Sequence, residues 1–307
     1  MMNVRATSVE SGGIELPGDQ VYPESITSTR DGTLFVSSLG CGGVIRIKPN
    51  SREAQLWIKP AAFGTRSTLG VLAHEPSNTL WVCSNDLTAL GIPSAGTATG
   101  SALKGFDLKT GEGTISATFP GAQAAYNDIA VGSDGSVYVT NSFGAEILRL
   151  RPGTTKLESW CRDPLFASPT GTFGLDGIAF GGDNVLYVSM YAGGKLLRVD
   201  ATQEKAGSVS VLGTSRPLVL PDAIRPIGNG EFLLVEGGGR LNRMLIKGDH
   251  ASIETLDDGF STPTGATAVG ETAWVSEGQL PYLLDPIKKG QTPALPFCVY
   301  PVALGNG

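Results

Sequence analysis

Between Tyr126 and Pro152 the chain reads YNDIAVGSDGSVYVTNSFGAEILRLRP. A polar pair, Asn127 and Asp128, opens a short apolar run. GSDG makes a turn, SVYVTNS alternates, and a short loop leads into a third run, EILRLRP. Alternation with a period of two, bounded by Gly and Asp turns, is the pattern of antiparallel strands joined by hairpins. The unit occurs six times in all. Its openers are Glu24, Leu69, Asn127, Asp176, Asp222 and Thr264, at steps of 45, 58, 49, 46 and 42 residues. A strand-only repeat of roughly 40 to 50 residues marks the blade of a propeller. The expected fold is therefore all-β: a six-bladed β-propeller with four-stranded antiparallel blades, in a single domain over residues 1–307.

The fourth, outer strand of each unit is weaker in sequence. EAQLWIK (53–59), GTISATF (113–119) and KLESWC (156–161) are the candidates. In the last unit PYLLD reads as the third strand, with no fourth strand after Asp285. Either the C-terminal LPFCVYPVA or the N-terminal VRATSVES supplies it, and the N-terminus would close the ring and remove an open sheet edge.

Composition narrows the function classes. Gly is abundant (42 residues) and charged residues make up 17%, as tight turns and buried strands require. The net charge is −6 without a basic patch, which argues against nucleic acid as a partner. The residues after Met1 have no apolar core of a secretory signal, and no stretch approaches the roughly 20 apolar residues of a membrane span. Cys41, Cys83, Cys161 and Cys298 lack CxxC spacing, so free thiols in a reducing cytoplasm are expected. The expected partner is a small molecule, for a monomer or small homo-oligomer.

A hairpin brings the start of its first strand and the end of its second to the same end of a blade. The six openers should therefore ring one mouth of a central channel. Facing them would be Ser38, Cys83, Asn141, Met190 with Tyr191, Glu236 and Glu277. Two long insertions, 84–102 and 163–175, fall on the same side and would form a rim or lid. The opposite ends carry ordinary turns.

Glu24, Asp176 and Asp222 would converge in this mouth, with no Lys or Arg among the openers. Converging carboxylates need a counter-charge, and oxygen-only ligands suit Ca²⁺, Mg²⁺ or Mn²⁺, with Zn²⁺ also compatible. The competing reading is that these acids cap strand starts by accepting local backbone N–H groups. Only two histidines occur, His74 at a far-side turn and His250 in a loop, which argues against a Ser-His-Asp triad or a His-rich zinc site. Glu236 and Glu277 are either general bases or solvated rim residues. GGGR (237–240) is a turn, since no helix follows it. Phe35, Trp81, Tyr138, Tyr187, Phe232 and Trp274 hold equivalent second-strand places and read as core.

The six units and the acids that open units one, four and five resemble the senescence marker protein/gluconolactonase family. That resemblance implies a six-bladed propeller around one divalent metal. YNDIAVGSDGSVYVTNS resembles the family's third-blade motif and gives Asn127 a substrate-binding role. PDAI (221–224) resembles the Pro-Asp-Gly motif and gives Asp222 as a ligand. DGIAF places Asp176 where the family has Asn, and YPESI places Glu24 where it has Glu-Gly-Pro. Ala125 stands where the sugar-lactone enzymes carry Arg, a departure that points away from sugar lactones.

The resulting expectation is a lactonase-type hydrolase acting on a neutral or partly apolar lactone or ester. Glu24, Asp176 and Asp222 hold one divalent ion, Ca²⁺ foremost. Asp222 or Glu236 moves the proton, and Asn127, Asn141, Tyr191 and Glu277 contact the substrate. Two other classes stand beside it. One is a metal-independent condensing enzyme resembling strictosidine synthase, acting through Glu236 or Glu277. The other is a non-enzymatic binding propeller.

Overall fold

A computed structural model describes residues 12–118, 124–201 and 205–305. The strands group in fours, each group running from an inner strand outward as an antiparallel meander. The inner strands are Pro23–Ser28, Ser67–His74, Tyr126–Val131, Leu175–Phe180, Pro221–Gly228 and Pro263–Val269. Each contacts the inner strand of the units before and after it, and Pro263–Val269 returns to Pro23–Ser28. The all-β expectation with four-stranded antiparallel sheets holds, in a propeller-like arrangement. Units four and five fuse into one eight-stranded sheet, because Gly213 and Thr214 pair in parallel with His250 and Ala251.

The outer strands fall at Ala54–Ile58, Gly113–Ala117 and Glu158–Arg162, inside or beside the segments read from the sequence. The last unit differs from the expectation. PYLLD is no strand: Pro281–Leu284 is a single helical turn with proline at its start. Proline is tolerated there because the first N–H of a helix needs no intrahelical partner. The third strand is Cys298–Ala303 and the fourth is Ile14–Glu15, which pairs through Ile14–Val299 and Glu15–Cys298. Thus the C-terminal segment fills the third place and a near-N-terminal strand the fourth. VRATSVES itself lies outside the described residues. No helix is long and apolar enough to cross a membrane.

Each inner strand carries an irregularity at its opener. The register with the second strand slips between Pro23 and Ile26, Thr68 and Val71, Tyr126 and Ile129, Leu175 and Ile178, Pro221 and Ile224, and Pro263 and Gly265. Such a bulge adds a residue, bends the strand and re-aims side chains. It also leaves backbone groups outside the ladder, and buried backbone groups require partners. Second-strand hydroxyls supply some of them across the unit boundary. Thr140 Oγ1 donates to the Asp176 carbonyl at 2.6 Å, and Ser189 Oγ to the Asp222 carbonyl at 2.5 Å. Thr264 Oγ1 donates to the Pro23 carbonyl at 2.9 Å, joining last unit to first. Gly177 packs so closely on Asp222 that a Cβ would lie 2.4 Å from its carbonyl oxygen.

Aromatic side chains pack within and between neighbouring units. Tyr138 meets Trp160 and Phe180 edge-on at 4.8 and 5.3 Å, and Tyr187 meets Phe232 at 5.5 Å. These are favoured edge-to-face distances. Phe35, Trp81, Tyr138, Tyr187 and Phe232 are buried core as expected, while Trp274 is half-buried.

Candidate active site

A cavity of about 540 Å³ opens at the opener end of the inner strands. Glu24, Asn127, Asp176 and Asp222 form its polar floor, so the bulged strand starts bring these openers together. Leu69 lines it as well. The walls are mainly apolar: Leu39, Phe173, Leu220, Leu280 and Leu284 lie among them, Leu90 reaches in from the insertion of unit two, and Asp285, Tyr191 and Thr262 are polar members. The insertion at 163–175 contributes Gly171, Thr172 and Phe173. Both insertions therefore form part of the rim, and the helical turn Pro281–Leu284 adds a third wall that sequence reasoning missed.

The electrostatics of the floor follow from crowding. Glu24, Asp176 and Asp222 are all buried. Loss of hydration raises each carboxyl above its ordinary range, and the neighbouring acids raise it further. Asp176 rises to about 8; Asp128 adds to the effect of burial, and hydrogen bonds with Asp222 and Asn127 oppose it. Two carboxyl groups in hydrogen-bond contact either share a proton or, if both are ionised, need a cation between them. Tyr191, at the cavity wall, is raised well above the usual phenol range by burial and by Asp222 and Asp176, and is a neutral O–H donor. Asn127 Nδ2 donates to Ser142 Oγ at 3.2 Å.

Beneath the acids lies a group that the sequence did not reveal. Arg225, three residues after Asp222, grips Asp128 with both guanidinium nitrogens at 2.6 and 2.8 Å. A cationic side chain therefore stands near the acids, although no opener supplies it. The absence of Arg among the openers is real, but the bulge at Asp222 shifts the strand's alternation, so that a residue three positions on also reaches the centre. Cys83 is buried near the same group, its thiol pushed up by burial, then by Asp128 and Glu24. All four cysteines are thiols and form no disulfide, and Cys41 is half-buried.

Three other expected site residues have different work. Glu236 is fully buried; it accepts from Arg216 at 2.7 Å, from Asn242 Nδ2 at 3.0 Å and from the Val219 N–H at 2.6 Å. It pairs in register with Pro221 and fixes the 216–219 loop, lying outside the cavity lining. Asn141 Oδ1 accepts from the N–H groups of Ala125 and Gly144, and its Nδ2 donates to Glu146 at 3.3 Å. It is a corner brace. Glu277 accepts from the Ser261 N–H at 2.7 Å and is likewise outside the lining.

The donor set can be weighed against a divalent ion. Among the described residues, no three His, Cys, Asp or Glu side chains stand at ion-binding spacing. In kind, however, the floor fits a hard cation: three carboxylates and one amide, all oxygen donors on one wall. The Asp176–Asp222 contact is itself a place where a cation can substitute for the bridging proton.

No protein-family model matches the chain. Over 113 residues it is 31% identical to core trichothecene cluster (CTC) protein 14 of Fusarium sporotrichioides. The match spans 36% of this chain and 30% of that protein's length. Solved structures match nearly end to end. A gluconolactonase of Xanthomonas campestris superimposes with a TM-score of 0.66 at 16% identity, over 94% of this chain and 87% of its own. The Malassezia sympodialis allergen Mala s 1 gives 0.68 at 14% identity, over 95% of both chains. A virginiamycin B lyase of Staphylococcus aureus gives 0.61 at 14%, over 95% and 98%. At these identities the likeness is one of fold, a propeller-like architecture that a gluconolactonase, an allergen and a lyase share.

Proposed function

We propose that the chain is a six-bladed propeller hydrolase that opens a lactone or ester with an apolar body. The observation that carries this reading is the cavity itself, an acid-and-amide floor under mainly apolar walls. The gluconolactonase-like fold supports the reaction class. The absence of Lys or Arg from the lining among the described residues supports a neutral substrate over a sugar acid.

Glu24, Asp176 and Asp222 would hold one divalent ion, Ca²⁺ being the best match to hard oxygen donors, with Mg²⁺, Mn²⁺ and Zn²⁺ as the other fits. When bound, such an ion polarises a carbonyl and acidifies water. The chain's residues do the rest. Asn127 and Tyr191 orient the carbonyl by donating hydrogen bonds, and Tyr191 suits this because it stays neutral. Asp222 takes a proton from the attacking water as the new C–O bond forms. It returns that proton to the ring or alkoxy oxygen as the old C–O bond breaks, giving a hydroxy acid or an acid and an alcohol. Leu39, Leu69, Phe173 and Leu284 exclude water from the apolar remainder of the substrate. Four thiols without a disulfide support a cytoplasmic location.

One observation favours a second reading: the Asp176–Asp222 pair can hold its proton without any metal. A metal-independent enzyme would then use this pair, and not Glu236 or Glu277, as its acid. A panel of alkyl-substituted and sugar lactones, assayed with Ca²⁺, Mn²⁺ and Zn²⁺ on wild type and Asp222→Asn, tests the proposal. We expect cation-dependent turnover of the alkyl lactones, lowered at least about 100-fold in the variant. Turnover that is equal with and without chelator would favour the second reading.

A further inference from the structure

The Asp128–Arg225 clamp is more than an ion pair that happens to lie near the floor. Arg225 is 6% and Asp128 3% exposed. Beyond the two bonds to Asp128, Arg225 Nη2 donates to Ser25 Oγ at 3.3 Å and Nη1 to the Ile224 carbonyl at 2.9 Å. Asp128 Oδ2 also accepts from the Ile178 N–H at 3.2 Å. The clamp thereby joins the inner strands of units one, three, four and five. In sequence, Ser25 follows Glu24, Asp128 follows Asn127, Ile178 lies two after Asp176, and Arg225 lies three after Asp222. Every residue of the polar floor thus sits within three positions of a clamp member.

A bidentate Arg–carboxylate pair is planar and geometrically fixed. Its two charges cancel at a distance, yet in a poorly hydrated interior each alone would act strongly on nearby carboxylates. We propose that the Asp128–Arg225 pair is a positioning element for the Glu24–Asp176–Asp222 floor. It locks the four strand starts together, and Arg225 offsets part of the charge that Asp128 adds to the three acids above, which determine how tightly a divalent cation is held. This rests on the cation-dependent reading given above.

The charge logic makes a prediction that simple structural damage does not share. Asp128→Asn leaves Arg225 positive beneath the floor and should weaken cation binding. Arg225→Met leaves Asp128 as a fourth acid and should tighten it. Arg225→Lys keeps the charge and loses the fork. Calorimetric titration of the full chain with Ca²⁺, Mn²⁺ and Zn²⁺ at about pH 8 reads all of these, with circular dichroism melts to verify folding. The expected result is at least about tenfold weaker binding for Asp128→Asn, at least about tenfold tighter for Arg225→Met, and a change within about threefold for Arg225→Lys. If Asp128→Asn does not fold, the comparison of Arg225→Met with Arg225→Lys decides alone. Variants that both weaken binding, or that leave it unchanged while wild type binds, overturn this inference and leave the cation reading standing. A wild type that binds none of the three ions overturns both.

Discussion

Asp176 and Asp222 face each other in the floor of the cavity, and their protonation couples the centre to the stability of the whole chain. With Asp176 raised to about 8 from an unfolded value of 3.8, the folded state binds more protons than the unfolded state between those values. Stability must then fall as pH rises from about 4 to about 8, by at most about 1.4 kcal/mol per pH unit from this group. Thermal melts of chelated protein should show a midpoint that declines between pH 5 and pH 8, and saturating Ca²⁺ should remove most of that decline. A flat or rising midpoint in chelator would contradict the crowded-acid account. Of these residues, Glu24, Asn127, Asp176 and Asp222 were legible in the sequence because each opens a repeat. Arg225 was not, because a bulge breaks the alternation by which an inward residue is recognised. Glu236 was misread for a related reason: its position at a strand end was visible, whereas Arg216 and the Val219 N–H, which occupy its carboxylate, come from a loop without a repeat signature.

Among the elements, the insertions give the site its shape. The stretch after Asn85 is moulded by Arg66, which donates to Ser94 Oγ at 2.9 Å, to the Gly96 and Ala98 carbonyls at 2.8 and 3.1 Å, and to Asp86 at 3.3 Å. Gln279 closes the neck of the third wall, donating to the Ala294 carbonyl at 2.7 Å and accepting from the Ala294 N–H at 2.8 Å. Lys289 joins the two walls by donating to the Leu90 carbonyl at 2.8 Å. Arg66→Ala should release Leu90 from the cavity wall without touching the floor. The expected outcome in steady-state kinetics on an alkyl lactone is a KM raised about tenfold with kcat within about twofold, the mark of lost uniform binding. An equal loss in kcat would show that the wall acts on the chemistry itself. Length marked the insertion at 84–102, and register the segment at 163–175, as a rim or lid. The helical turn at Pro281 was hidden because a four-residue turn has no periodicity to read, although its leading proline is a helix-start signal.

For the whole molecule, the sequence carried the architecture well because a repeat states the same pairing rule six times. The exception lay where the ring closes. Ile14–Glu15 is too short to announce itself as a strand, and its partner Cys298–Ala303 follows a loop that displaced the expected third strand. The closure matters to the site, since Thr264 Oγ1 and the Pro23 carbonyl join last unit to first one residue away from Glu24. The acid-floored cavity leads back to the central claim, that the floor holds a divalent cation for hydrolysis. The most direct measurement is the metal content of the purified protein by elemental mass spectrometry, on wild type and Asp222→Ala side by side. About one equivalent of divalent metal in wild type, lost in the variant, is the result predicted. No metal in wild type, even after soaking with Ca²⁺, Mn²⁺ and Zn²⁺, would contradict it and return the Asp176–Asp222 pair to metal-free acid–base chemistry.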